Sequence, residues 1–472
     1  MNLLPHSLPR AAKVEGLYDE PLGFLSRARS SLGDMFVLRE AGPIFSRSPD
    51  CAGAIAVFGP ALNRAVLSDI DLFGMPISAA EHLGLPQTLV NLNCGLHSMR
   101  GEQHTQHQRL LLRVLSERSI EEQHSAVSTD LEMFLNSWQA GQGISLLGEM
   151  RRLALQVSKG LLFGDQYKES ARLASLLQEY FQFRREAASP LNSASATMRE
   201  ELIALGTSLD DALRQHIHWA RRQSLITSDG LLTRLACMEL EPGNGLAEDA
   251  LVAHGNVLFM SSNEPVAVAL CWILLILSQL PELRRALRRE LVQAEIKDSV
   301  PCPQQLARLT LLDAVVSESL RLLTPNALMA RVTTRPTELG GVKLPARCEL
   351  VLSPFLAHRD AERFPRPTEF LPSRWNALRP APYEYFPFGA GGHACVGRQL
   401  AMYLIKATLA LMMPRYELLL ADDQEIDWRI HIQFMPRNEP LMRVCAAGDS
   451  NLRAGKMLGP ICELISLDSY HF

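Results

Sequence analysis

The sequence has no CxxC pair, no Cys/His cluster at zinc or iron–sulfur spacing, and no uninterrupted apolar run of bilayer length. Its nine cysteines stand singly, at positions 51, 94, 237, 271, 302, 348, 395, 445 and 462. Neither a disulfide framework nor a thiolate metal cluster is therefore expected, and reduced thiols inside a cell are. The longest apolar run, Val266 to Leu277, falls short of the ~20 residues that a bilayer requires. It predicts a helix buried on all sides rather than a membrane span. The opening MNLLPHSLPR is too short and too proline-broken for a signal peptide or an anchor. Neither sign of charge dominates, since 47 Lys and Arg oppose 51 Asp and Glu for a net charge of -4. That balance gives no reason to expect nucleic acid or an anionic membrane as partner. Internal repeats and low-complexity tracts are also missing, and a soluble, cytoplasmic protein is the expectation.

What remains is ample for a large core: 472 residues, 47% of them hydrophobic. Length alone would permit one large domain or two to three ordinary ones. The first part of the chain carries candidate strands, DMFVLRE and AIAVFG. From Pro60 to Leu320 the pattern is mostly helical, with apolar residues at three- and four-residue spacing in RGEQHTQHQRLLLRVLSERS and EEQHSAVSTDLEMFLNSW. AASPLNSASA (Ala187 to Ala196) breaks that pattern and reads as a connection between two helices. Thr333 to Pro387 is mixed and holds a strand candidate, RCELVLSP. A long helix, Arg398 to Pro414, follows a glycine-rich loop, and strand-like segments close the chain. The prediction is a mainly α fold with small β-sheets.

That glycine-rich loop, FPFGAGGHACVGRQLA (Phe386 to Ala401), holds Cys395 among Gly389, Gly391, Gly392 and Gly397. Glycines let a backbone turn sharply and approach a flat ligand closely. A cysteine at the start of a helix meets free N–H groups and a dipole that lower its pKa. A single protein thiolate so placed suits haem iron rather than zinc. Phe388 could shield the sulfur, and loop amides could tune it. A glycine-rich turn with a buried structural cysteine would carry the same short pattern.

The full spacing Phe388-Gly389-x-Gly391-x-His393-x-Cys395-x-Gly397 resembles the haem-binding signature of the cytochrome P-450 superfamily. Three further landmarks share the resemblance, which spans Leu25 to Val444. ESLR supplies Glu318 and Arg321 as the family's ExxR pair. FLPSRW supplies Arg374, completing its Glu–Arg–Arg cluster. GEQHTQHQRLLL resembles the helix that crosses one haem edge, with His104 at the propionate-contacting position. The resemblance implies a single P-450 domain over residues 1–472, with an N-terminal extension (1–25) and a C-terminal tail (446–472). It also implies haem b (iron protoporphyrin IX) between a distal helix and the cysteine loop. Cys395 is then the axial thiolate, and Arg331 and His393 join His104 on the propionates. The basic residue usual four positions after His104 is here Gln108, with Arg109 beside it as the alternative contact. Glu318, Arg321 and Arg374 are structural on this reading, locking the loop from behind.

The distal stretch FMSSNEPVAVALCW departs from the family's AGxETT form. Glu264 takes the place of the acid and Pro265 that of the threonine, with Ser261 and Ser262 upstream. Proline has no hydroxyl to relay protons, and it frees the Ser261 carbonyl and kinks the helix. Either Pro265 merely replaces one source of a kink, or Glu264 delivers protons through water held at Ser261 and Ser262. Fatty-acid peroxygenases of the superfamily also have proline here, but after an arginine that holds the substrate carboxylate; Glu264 has the opposite charge. The apolar walls expected around the substrate are Phe73 to Leu92, Ala187 to Ala196, Asn326 to Met329, and Gln433 to Met435.

The resemblance implies a monooxygenase of soluble bacterial type, hydroxylating or epoxidising a hydrophobic small molecule in specialised metabolism. Little chain follows Cys395, so no reductase domain is expected there. Electrons would come from a separate ferredoxin or flavodoxin with its reductase, docking near Arg109, Arg113 and Arg398. Pro265 keeps open a peroxide-driven peroxygenase, a haem-thiolate isomerase or dehydratase, and a haem protein that binds ligand without turnover.

Overall fold

A computed structural model describes residues 4–12, 16–46, 50–76, 85–187, 196–223, 230–241, 244–296, 299–430, 433–448 and 453–467. The connection expected between Ala187 and Ala196, and part of the wall expected from Phe73 to Leu92, lie outside the described residues.

Five helices position the site: α1 (Gly101–Val114), α2 (Leu146–Phe163), α3 (Glu248–Gln279), α4 (Thr310–Leu322) and α5 (Arg398–Met412). The central one is α3, 32 residues long, or roughly 48 Å at 1.5 Å per residue. Glu248 and Asp249 in its first turn oppose the positive end of its dipole. Every side chain from Val266 to Ser278 is buried, as an all-round apolar run requires. Trp272 within that run donates its indole N–H to the Phe434 carbonyl at 3.0 Å. By length and composition alone α3 could cross a membrane, but 72% of its apolar window is buried inside the protein. It continues as helix through Pro265.

A five-stranded sheet flanks the helices, built from β1 (Met35–Arg39), β2 (Gly53–Val57), β3 (Phe73–Gly74), β4 (Met329–Thr333) and β5 (Cys348–Leu352), in the order β1-β2-β5-β4-β3. β2 and β5 run parallel, with Leu350 opposite Ile55, and the other pairs are antiparallel. Period-two alternation divides the side chains between two cores. Phe36, Leu38, Ala54 and Ala56 join the main helical core, while Val37, Ile55 and Val57 join a second one with Leu350 and Leu352. The strands expected from DMFVLRE, AIAVFG and RCELVLSP are β1, β2 and β5.

The described residues near both ends of the chain are built into this body. Residues 4–12 bridge to β1 through Val37 N–H to Pro9 O and Ala11 N–H to Val37 O, and Leu4 is 1% exposed. Near the other end, Met457–Leu458 pairs with Gln424–Glu425, and Ile461 is fully buried. The segments expected as extension and tail contribute core residues.

Candidate active site

The loop before α5 is shaped by two glycines with positive φ, Gly389 at +70° and Gly391 at +71°. A Cβ on Gly391 would lie 1.8 Å from the Leu67 carbonyl oxygen, so no other residue fits there. The Cys395 amide donates to Phe388 O at 2.8 Å, closing the loop beneath the thiol. The Arg398 guanidinium lies 5.9 Å from the Phe388 ring centroid.

Cys395 is exposed, yet the surrounding loop displaces enough water to push its pKa up. The Gly397 amide and the Arg398 charge act in the opposite direction and do not overcome burial. This corrects the expectation of a thiol acidified by its helix N-terminus. Cys395 precedes Gly397, the N-cap of α5, and so stands just ahead of the first turn. In the protein alone desolvation is the larger effect.

The loop's α4 side is pinned by an ion cluster. Glu318, fully buried, accepts from Arg321 Nε and Nη2, Arg374 Nε, the Leu371 amide and Trp375 Nε1, all at 2.9 Å. Arg321 spends its remaining donors on the carbonyls of His358, Pro367 and Glu369. His358, also fully buried, accepts the Phe386 amide at 2.9 Å, so the cluster reaches the first residue of the cysteine loop. Trp375 and His358 were not singled out by sequence reasoning. Trp375 adjoins Arg374, but His358 carries no local signal.

A second set of side chains, all basic, converges from three elements. His104 on α1 is 2% exposed and stacks edge-on with His393, ring centroids 4.9 Å apart. His104 Nε2 and His393 Nδ1 are buried without a hydrogen-bond partner among the described residues. Arg331 on β4 is 3% exposed, and its one hydrogen bond among the described residues runs from Nη1 to the neighbouring Ala330 carbonyl, at 2.7 Å. Burial pulls its pKa down to about 10. Burial first, then the charge of Arg331 and the nearby His104, His97 and Arg100, push His393 down to about 3. His97 belongs to the same group, its pKa lowered by burial, Arg331 and His104 although the residue is exposed. Sequence reasoning missed His97, which precedes α1 in a separate short turn. Buried donors without protein acceptors suit an anionic ligand with several oxygens. Together with Cys395 and the glycine-lined loop, this donor set fits a haem and its two carboxylates.

Arg109 does not join them. It is exposed on α1, while Gln108 donates Nε2 to Gly392 O at 2.8 Å and takes the contact with the cysteine loop. The expected cofactor contact at Arg109 is corrected accordingly.

Along α3, Val257, Leu258 and Pro265 are half-buried and Ser261 is exposed. Their spacing of three, four and seven residues places them on one stripe. Two other residues expected to handle protons point elsewhere. The Glu264 carboxylate is gripped by Arg151 of α2, with Nε at 3.2 and 3.0 Å and Nη2 at 2.5 Å. Arg151 also pairs with Glu439 at 3.4 Å. Burial works against the Arg151 charge, but Glu264 and Glu439 outweigh it and raise its pKa. Ser262 is bonded to Ser158 of α2 at 3.0 Å and to Phe259 O at 3.0 Å. Glu264 and Ser262 thus tie α3 to α2, and the hydroxyl beside Pro265 that makes no hydrogen bond among the described residues is that of Ser261. The 113-residue separation of Arg151 from Glu264 left no local signal of the pair.

Two buried histidines outside this group set an acid limit on stability. His216 is fully buried with its pKa pushed down to about 4, and His254, 2.8 Å from His107, is pushed to about 3, both chiefly by burial. Unfolded histidines titrate near ~6.5, so between that value and the folded one the unfolded state binds more protons. Stability should fall as pH drops below about 6.5, by at most about 1.4 kcal/mol per pH unit for each histidine. The urea midpoint followed between neutral and acidic pH checks this, and His216→Gln should flatten the slope. A midpoint that does not move across the window would contradict it.

Comparison with known proteins bears on the same residues. The family model described as Cytochrome P450 matches residues 39–442. A cyclooctat-9-en-7-ol 5-monooxygenase of Streptomyces melanosporofaciens is 28% identical over 426 residues, covering 86% of this chain and 87% of its own. A putative cytochrome P450 139 of Mycobacterium tuberculosis is 25% identical, covering 82% and 91%. Among solved structures, the retinoic acid-bound cyanobacterial CYP120A1 superposes with a TM-score of 0.76 at 18% identity, covering 94% of this chain and 100% of its own. The haem domain of cytochrome P450DA does so with the same score at 21% identity, covering 94% and 98%.

Proposed function

The chain belongs to the cytochrome P450 family and is a haem-thiolate monooxygenase; from that premise we propose that it oxidises a hydrophobic small molecule of specialised metabolism, by hydroxylation or epoxidation. The terpenoid-type substrate in the name of the Streptomyces relative supports that class. The observation that carries the reading is the edge-on pair of His104 and His393, whose Nε2 and Nδ1 are buried without a partner among the described residues, two positions along the loop from Cys395. Haem b is the form these donors would hold, His104, His97, Arg331 and His393 taking its carboxylates and Cys395 its iron. When bound, the haem-thiolate supplies dioxygen activation: one oxygen atom goes into the substrate and the other leaves as water.

The rest is the work of the chain. Gly389 and Gly391 let the loop approach the ring face, and the Glu318 cluster fixes that loop from behind. Val257, Leu258 and Pro265 give the substrate an apolar wall and exclude water. Ser261 holds a proton-bearing hydroxyl where the family has a threonine one turn later. Electrons come from a separate ferredoxin or flavodoxin and its reductase, docking on the cysteine side, where Arg109, Arg113 and Arg398 are exposed.

Supplying candidate substrates with reductase partners, then with peroxide, then with neither, tests the reading. Product with reductase partners is expected; product only with peroxide, or with neither, would overturn it. Ser261→Ala should slow reductase-driven turnover roughly 10²-fold, the lower range for a positioned proton donor, with substrate binding unchanged. Unchanged turnover would remove Ser261 from proton handling. Arg151→Ala, by contrast, should destabilise the fold on the order of 3 kcal/mol by removing the guanidinium that pairs with the buried Glu264 carboxylate. A urea midpoint equal to that of the parent protein would contradict that role.

A further inference from the structure

Two helices close on the N-terminal half of α3, Gln87–Asn93 and Ser170–Ala187. The first is tied down by Asn256, whose amide donates to Leu92 O at 2.8 Å. The second brings Arg184 to Met260, the residue next to Ser261, with Nη1 3.7 Å from the Met260 sulfur. Nη1 also donates to Asn93 Oδ1, and the guanidinium carbon lies 5.7 Å from the Tyr180 ring centroid. The Asn93 amide cannot turn over freely, because its Nδ2 is committed to Leu89 O at 2.7 Å and the Tyr180 hydroxyl at 3.1 Å. The guanidinium is therefore seated in one orientation.

From this seat we infer that Arg184 anchors a carboxylate of the substrate, so that the enzyme acts on hydrophobic carboxylic acids. The inference rests on the monooxygenase reading and narrows its substrate class. Arg184 is half-buried, and among the described residues no carboxylate pairs with it. Two other part-buried arginines meet carboxylates: Arg214 grips Asp210, Glu248 and Asp249, and Arg151 grips Glu264 and Glu439. A neutral amide oxygen satisfies one donor of Arg184 but leaves its charge without a counter-ion. Nε and Nη2 find no protein acceptor among the described residues, and a planar edge with two donors matches the two oxygens of a carboxylate. A single guanidinium also balances the single charge of that group. With the carboxylate on this edge, the apolar remainder of the molecule meets the Val257, Leu258 and Pro265 stripe beside Ser261.

The test uses the full-length, haem-loaded protein and measures equilibrium binding of dodecanoic, hexadecanoic and abietic acids, their matched primary alcohols, and dodecyl phosphate. At least one acid should bind roughly tenfold or more tightly than its alcohol, the contribution of charge-assisted hydrogen bonds. Arg184→Gln, which keeps a donor for Asn93, should erase that preference, and Arg184→Lys should retain part of it. No acid preference in the parent protein, survival of the preference in Arg184→Gln, or tighter binding of dodecyl phosphate than of dodecanoic acid would each overturn the inference. Haem content and the carbon monoxide spectrum are read on the same samples. An acid preference absent from the parent protein despite an intact thiolate spectrum overturns the anchor alone, whereas a missing thiolate band overturns the haem-thiolate reading beneath it.

Discussion

Glu318→Ala is expected to yield almost no soluble, haem-loaded protein. The carboxylate is fully buried and takes five hydrogen bonds from Arg321, Arg374, Trp375 and the Leu371 amide. Its removal leaves two guanidinium charges facing each other, one of them on the fully buried Arg321. Breaking a buried charge pair from one side costs roughly 3–5 kcal/mol, against a total stability of about 5–15 kcal/mol for a typical protein. The damage is also local to the site, because Arg321 holds the carbonyls of His358, Pro367 and Glu369, and His358 holds the Phe386 amide. Glu318→Gln keeps the shape and part of the bonding and should be less severe. Soluble yield and the ratio of haem to protein measure both variants. A normal ratio in Glu318→Ala would show that the cluster does not support the cysteine loop.

Cys395→Ser is expected to reduce product formation to background while leaving the polypeptide folded. The thiol makes no buried ion pair, and the loop around it is held by its own backbone bonds, Cys395 N–H to Phe388 O and Gly389 N–H to Phe386 O. The substitution therefore removes the one soft ligand of the site with little effect on packing. Cys395→His should retain haem yet shift its spectrum to the histidine type. Turnover in the serine variant comparable with the parent protein would mean that the iron ligand lies elsewhere.

The chemistry of this chain was legible where it depends on short spacing. The Phe388 to Gly397 loop, the Glu318–Arg321 pair and Arg374 could be read directly, because each is a local pattern imposed by a geometric need. The apolar run in α3 announced its burial in the same way. Contacts across the fold left no such trace. Glu264 looked like a free acid until α2 brought Arg151 to it, and Ser262 looked available until Ser158 took its hydroxyl. Gln108 and Arg109 are neighbours in sequence, and only the rotation of α1 decides that Gln108 meets the loop. The direction of the Cys395 shift required the balance between burial and helix terminus, which no motif encodes. The parallel pairing of β2 with β5 likewise joins segments far apart in the chain.

Every role assigned to the site depends on Cys395 carrying haem iron as a thiolate. Adding carbon monoxide to the reduced, haem-loaded protein tests it most directly. The expected result is the strongly red-shifted Soret band of a thiolate-ligated carbon monoxide complex, lost in Cys395→Ser. A histidine-type band in the freshly purified native protein, or a thiolate band that survives in Cys395→Ser, would contradict it.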